Sequence, residues 1–152
     1  MEQGVEKIKE KISTGEIYFK ILNGEIIDWY DISLTYECDD EFIDEFHNKL
    51  YWETICKVQK LSEYIIDKYS NEVNWIIFSA YQTPNLYIIE KYKNDLNWFW
   101  LLVNNAYNED FLWKYRKYLP KDIILRQHQD VSTKFLKKLQ DWRDQGNGSD
   151  MS

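Results

Sequence analysis

Leu61-Ser62-Glu63-Tyr64-Ile65-Ile66-Asp67-Lys68-Tyr69, then Val73-Asn74-Trp75, then Ser79-Ala80-Tyr81-Gln82, is one unit of a pattern that recurs along the chain. Tyr69 stands 23 residues after Phe46, and Tyr92 and Tyr115 follow at the same step. Leu50, Val73, Leu96 and Leu119 keep that step, as do Ile55, Phe78, Leu101 and Ile124, and Trp52, Trp75 and Trp98. No gap is needed. A sustained period of this size marks units that cannot bury their own apolar faces and therefore stack on their neighbours. The expected fold is mainly α: a short α-α repeat solenoid of about four 23-residue units, over 38–60, 61–83, 84–106 and 107–129.

Inside each unit the apolar residues fall at i, i+1 and i+4, as in Phe42, Ile43 and Phe46 or Ile65, Ile66 and Tyr69. That spacing is one face of a short helix. Asp39, Ser62, Asn85 and Asn108 precede it and suit the N-cap, whose side-chain oxygen satisfies a free backbone N–H. A second helix, opened by Trp with an apolar residue three positions on, is expected at roughly 52–59, 74–82, 97–106 and 121–128. Helices shorter than about 12 residues are marginal alone, so stacking must hold them. Phe46, Tyr69, Tyr92, Tyr115, Trp52, Trp75 and Trp98 are therefore read as the repeat core, each indole N–H requiring a carbonyl partner.

Both ends depart from the pattern. Residues 1–37 read as a cap: a short helix around Val5, Ile8 and Ile12, then a β-hairpin from Glu16 to Ile26, then a half-repeat carrying Ile27, Trp29 and Ile32. The hairpin expectation comes from alternating Ile17, Phe19 and Ile21 beside Asn23-Gly24, a strong two-residue turn signal. Further on, Lys121 stands where a Trp is due, and Phe135, Leu136 and Leu139 resume the first helix after a step of 24. Residues 130–145 are expected to form a capping helix and 146–152, rich in Gly, Asn and Ser, a flexible tail.

The 152 residues fit one domain, and 44% hydrophobic content suffices for a continuous core. Two cysteines, Cys38 and Cys56, do not make a disulfide framework; they are read as structural thiols in a reducing, cytoplasmic setting. No stretch has a signal-peptide pattern or about 18 uninterrupted apolar residues, so no membrane association is expected. The net charge of −7 is uneven: −4 over 1–37, −3 over 38–60 and −2 over 61–83, against +2 over 107–129.

Little in the sequence supports catalysis. His47 and His128 lie 81 residues apart, and no CxxC pair, zinc spacing or glycine-rich phosphate loop is present. No metal, cofactor or enzymatic activity is expected. The densest carboxylate run, Asp39, Asp40, Glu41, Asp44 and Glu45, reads either as a solvated helix start or as an acidic docking ridge, extended by Glu63 and Asp67 on the next unit. The late cations Lys114, Arg116, Lys117, Lys121, Arg126, Lys134, Lys137 and Lys138 alternate with Tyr115, Tyr118 and Phe135, which superficially suits nucleic acid. The repeat core already claims those rings, however, and a pI near 4.9 opposes non-specific nucleic-acid binding.

The unit quoted above resembles short tandem repeats in proteins of bacteriophages and large DNA viruses, which read approximately Leu-Ser-Glu-x-Phe-Ile, Val-Asn-Trp and Ile-Ser-x-x-Gln. The likeness covers 38–129 and, more loosely, 25–37 and 131–139. Such arrays share no catalytic residues. The third unit departs, with Pro84-Asn85 for Leu-Ser and Asn104-Asn105 for Tyr-Gln. The resemblance implies a non-enzymatic protein-binding module, monomeric or a small homo-oligomer. Its natural version is an anti-CRISPR-type inhibitor that covers a basic surface of a host nucleic-acid-handling protein with Asp39, Asp40, Glu41, Asp44, Glu45, Glu63 and Asp67. The alternatives are a nucleic-acid-binding repeat protein using the basic later units and a self-assembling structural protein.

Overall fold

A computed structural model describes residues 14–147. The expected helix around Val5, Ile8 and Ile12, and the tail beyond Asn147, lie outside the described residues. The architecture is mainly helical, with no strand among the described residues: α1 (Thr14–Leu22), α2 (Trp29–Thr35), α3 (Asp40–Phe46), α4 (Trp52–Val58), α5 (Glu63–Lys68), α6 (Trp75–Tyr81), α7 (Leu86–Lys91), α8 (Trp98–Asn104), α9 (Glu109–Lys114), α10 (Leu125–His128) and α11 (Thr133–Trp142). A 3-10 turn at Arg116–Tyr118 follows α9, and a π-helical turn at Arg143–Asn147 extends α11.

The 23-residue step reappears in these boundaries: α3, α5, α7 and α9 start 23 residues apart, and so do α2, α4, α6 and α8. The chain forms two compact units, Met1–Asn74 and Trp75–Ser152, divided inside the sequence repeat 61–83. In the first unit α2 packs on α4 and α3 on α5; in the second α6 packs on α8, and α8 on α10.

Local chemistry explains why such short helices start and stop where they do. Asp39, Ser62, Asn85, Asn108 and Ser132 each accept a hydrogen bond from the backbone N–H three residues on, satisfying one orphan donor of the first turn. Tyr69, Tyr92 and Tyr115 end their helices in nearly one conformation (φ −112°, −111° and −101°; ψ 30°, 23° and 22°). Each is buried and meets the Trp 17 residues before it. Ring centroids lie 5.4 Å apart for Trp52–Tyr69, 4.7 Å for Trp75–Tyr92 and 5.3 Å for Trp98–Tyr115, with Trp29–Phe46 at 5.0 Å as the first of the series. The Trp52 and Trp98 indoles donate to the carbonyls of His47 and Lys93, both at 2.8 Å, so these rings are buried with their polar edge satisfied.

Two sequence expectations are corrected. Residues 14–22 form a helix, and no β-hairpin is present. Asn23-Gly24 ends that helix: the Gly24 N–H donates to Ile21 O (3.0 Å) and the Glu25 N–H to Lys20 O (2.9 Å), with Gly24 at φ +71°. This is the Schellman closure, which needs a left-handed residue just as the hairpin turn does, so the dipeptide alone could not separate the two. Ile17 is buried, while Phe19 and Ile21 are exposed, and the alternation was therefore no guide to a sheet face.

The last of the second helices is also shorter than expected. Instead of spanning 121–128 it covers Leu125–His128, because Lys121 and Asp122 form a turn after Pro120 and the stretch lacks the Trp that anchors its counterparts. Ile123 and Leu125 supply the burial there. They join Leu102, Leu112, Leu119, Phe135 and Leu139 in one apolar cluster.

Candidate functional site

The acidic run on α3 divides into carboxylates that hold the molecule together and carboxylates that face outward. Asp39 caps α3, accepting from the Phe42 N–H at 2.8 Å. Asp40 accepts from Ser62 Oγ at 2.9 and 2.8 Å, and Ser62 is the N-cap of α5, so one carboxylate orients the cap of the next helix. Asp44 is more committed still. It accepts from Tyr69 Oη at 2.6 Å, from Tyr64 Oη at 2.8 Å and from Lys68 Nζ at 2.9 Å.

Those donors favour the ionised form and hold the Asp44 carboxyl down at about 2, the Tyr69 hydroxyl contributing most. The arrangement recurs in the second unit, where Tyr115 Oη donates to Glu90 at 2.5 Å and Lys93 Nζ pairs with the same carboxylate at 2.8 Å. Glu90 is depressed in turn, first by Lys93 and then by Tyr115. Burial, aided by the Glu90 hydrogen bond, pushes the Tyr115 hydroxyl up to about 12.

Glu41 and Glu45 remain. They are exposed and one turn apart on α3, and neither meets a cation among the described residues. Glu45 accepts from the Tyr18 hydroxyl, which raises the Tyr18 pKa, with the Glu41 charge adding to the effect. Glu63 is exposed in the first turn of α5, and Asp67 is half-buried near its end. The surrounding charge is one-sided: residues 14–74 carry fourteen carboxylates against five lysines, a net −9, whereas residues 75–147 carry eight against eleven cations, a net +3. The sign changes where the two compact units divide.

Side chains that the sequence reading quoted as part of the repeat but gave no role turn out to organise the loops. Gln59, buried at the end of α4, donates from Nε2 to Tyr36 O (2.6 Å) and Ser33 O (3.1 Å), and its Oε1 accepts from the Cys38 N–H (3.1 Å). Gln129 repeats the motif: Nε2 donates to Leu102 O and Asn105 O, both at 2.6 Å, and Oε1 accepts from the Tyr107 N–H at 2.6 Å. A glutamine at 59, 82 and 129, near the 23-residue step, was the available signal. Ser33 and Ser79 do similar work. Each donates to the Trp carbonyl four residues back, at 2.7 Å, and accepts a backbone N–H 18 residues on, from Tyr51 (3.0 Å) and Asn97 (2.9 Å).

The altered third unit follows from the same motif. Pro84 occupies the position that donates an N–H to the glutamine elsewhere, and proline has none. Asn105 replaces the glutamine and only donates, to Leu101 O (3.2 Å) and Gln82 O (3.4 Å), while Asn104 adds a bond to Gln82 O (3.0 Å). The two departures compensate each other.

The chemically reactive side chains are quiet. Cys38 and Cys56 are buried, and desolvation pushes their thiols up to about 12 and about 11, where almost no thiolate exists at neutral pH. Cys56 occupies the position of Ser33 and Ser79 in the repeat and accepts from the Asn74 backbone. His47 stacks on Tyr69, with centroids 4.8 Å apart. Among the described residues no group of three or more His, Cys, Asp or Glu could hold a metal ion, and no helix is long and apolar enough to cross a membrane.

The late basic residues do not act as one set. Lys114 lies over the Tyr115 ring, Arg126 donates to Thr133 Oγ1 (2.7 Å), and Lys121 lines a cavity of about 560 Å³ floored by Leu96, Trp98 and Leu119. Lys134, Lys137 and Lys138 instead gather with Trp113 and Trp142 at a second cleft. Comparison with protein-family models, with curated proteins and with solved structures finds no match.

Proposed function

We propose that the chain is a non-enzymatic protein-binding module: an α-solenoid of 23-residue repeats whose acidic first part occupies a basic surface of another protein. The observation that carries this reading is the net −9 over residues 14–74, with Glu41 and Glu45 exposed and unpaired by any cation among the described residues. A one-sided field of this kind speeds encounter with an oppositely charged partner and disfavours acidic ones. The perturbed groups also support it. Asp44 owes its shift first to the Tyr69 hydroxyl, Lys68 to Tyr64 and Glu90 to Lys93, while Tyr115, Cys38 and Cys56 owe theirs first to burial, so all are explained by structural bonds and packing and none is poised for chemistry.

In its sharpest form the proposal is an inhibitor, of the kind viruses direct at host nucleic-acid-handling proteins, that covers a basic groove sterically and electrostatically. Glu41 and Glu45 make direct contact, with Asp39 and Glu63 beside them, while Asp40 and Asp44 preserve the shape of the ridge. The test is affinity capture with wild type beside a Glu41→Lys/Glu45→Lys variant, followed by competition of the captured protein with a labelled oligonucleotide. Loss of capture in the variant, together with release of the oligonucleotide by wild type, supports the reading. Equal capture by both proteins overturns it, as does a ternary complex with the oligonucleotide still bound when the competing chain carries Lys134→Glu/Lys137→Glu and so lacks the late lysines that could hold the oligonucleotide themselves.

A further inference from the structure

We propose that the cleft between Trp113 and Trp142 is an anion site of its own, which takes a nucleotide: phosphate on Lys134, Lys137 and Lys138, base on the face of Trp113. The cleft has a volume of about 490 Å³ and is completed by Asp141 and Gln145. The three lysines stand at i, i+3 and i+4 on the exposed side of α11, so their ammonium groups converge on one strip of surface. None of them forms an ion pair among the described residues. Lys138 Nζ lies 4.0 Å from the Trp113 ring centroid, a close cation–ring approach. Behind the cleft the Arg116 guanidinium sits 4.3 Å from the Trp113 centroid and 5.2 Å from that of Trp142, and its Nε is buried without a hydrogen-bond partner. A fixed positive charge thus backs both rings.

The placement of Lys134 runs against helix stability. Three of the counterpart helices, α3, α5 and α9, carry acids in the first turn, where the helix dipole favours them; α11 has none and puts Lys134 there. Converging cations repel one another, and apart from the Lys138 contact with the Trp113 face they have no partner of opposite charge among the described residues, so their natural counterpart is an anion. The rings decide which anion. Half-buried indoles beside cations suit a flat, polarisable base attached to a phosphate, with Lys138 leaving the Trp113 face for the phosphate as the base arrives. An acidic peptide would satisfy the lysines and leave Trp113 unused. The whole-chain charge of −7 opposes such binding, but the charge over residues 75–147 is +3.

The test titrates the full chain at low ionic strength with a labelled single-stranded oligonucleotide, with a free nucleoside monophosphate, with inorganic phosphate and with a polyglutamate peptide, reading tryptophan fluorescence and anisotropy. The oligonucleotide should bind, with an affinity that falls roughly 20-fold for a fourfold rise in salt if about three phosphates are neutralised. Binding of the monophosphate as well marks a free nucleotide as sufficient; binding of the oligonucleotide alone marks a strand as the ligand, and either supports the site. Lys134→Glu/Lys137→Glu, at exposed positions where a helix start tolerates acids, should abolish binding, whereas Lys49→Glu/Lys60→Glu in the first unit should leave it unchanged. Trp113→Leu should weaken it roughly 5- to 150-fold, the range for one lost base–aromatic stack. The site is refuted by no oligonucleotide binding at low salt, by equal binding of polyglutamate, or by indifference to the Lys134/Lys137 reversal.

Discussion

Tyr69 reaches back 25 residues to donate its hydroxyl to Asp44 at 2.6 Å, and Tyr115 reaches back the same distance to Glu90. The acid on one helix and the tyrosine ending its counterpart in the next repeat therefore form a pair whose protonation state matters. Asp44 falls from an ordinary 3.8 to about 2, so its bonds stabilise the folded chain fully above pH 3.8 and cease to do so as pH falls through about 2. Thermal melts of wild type and Asp44→Asn between pH 6 and pH 2 should converge at the acid end, with wild type ahead at neutral pH. Parallel curves would show that the Asp44 charge is not what the tyrosine and lysine hold.

Gln59 tests the loop motif. Replacing it with Ala removes the bonds to Ser33 O, Tyr36 O and the Cys38 N–H; Tyr36 O keeps the Cys38 thiol as a donor at 3.5 Å, so two groups are left unsatisfied at about 1 to 3 kcal/mol each, and the expected loss is roughly 2 to 6 kcal/mol. Asn105→Ala, with longer bonds and no accepted N–H, should cost clearly less. Urea denaturation of the two variants measures the difference.

Trp98 joins three rings, Phe111, Tyr115 and Tyr118, and donates to Lys93 O. Trp98→Ala should cost about 3 to 5 kcal/mol, as a large void in a packed core does. Trp98→Phe keeps much of the ring and should retain most of that stability, losing mainly the indole hydrogen bond. Denaturation midpoints for the pair separate packing from polarity.

The cysteines provide a readout of folding. With their thiols raised to about 12 and about 11 and their side chains buried, Cys38 and Cys56 should resist iodoacetamide at neutral pH and react once denaturant is added. Mass spectrometry of the labelled chain gives the answer. Rapid labelling of the native protein would contradict the buried positions described.

Gly24→Ala isolates a backbone effect. Nothing lies within 4 Å of the added Cβ, so the cost is the left-handed conformation alone, about 1 kcal/mol. The loss should appear as fraying of α1, read by amide exchange at Asn23 to Glu25.

Periodicity made much of the helical pattern legible before any coordinates. The N-caps at 39, 62, 85 and 108, the Trp-headed second helices and the carbonyl partners of Trp52 and Trp98 follow from a 23-residue step combined with ordinary helix chemistry. Asn23-Gly24 misled because a hairpin and a Schellman cap make the same conformational demand on glycine. The carboxylate run was legible as composition but not as geometry. Nothing in five acids says which will find a Ser62 or a Tyr69 on the next helix, since those partners lie 20 to 25 residues away and depend on stacking register.

The glutamine bonds give the chain a direction. Gln59 and Gln129 each close a loop that lies earlier in sequence, so a repeat is finished by its successor and not by itself. Shortening the chain from its C-terminal side would open a loop whose closing side chain had gone, whereas shortening it from the other side would leave a glutamine with nothing to hold. Growth by duplication is correspondingly asymmetric: a new repeat can be added after an old one at little cost, but its arrival decides whether the old one is complete.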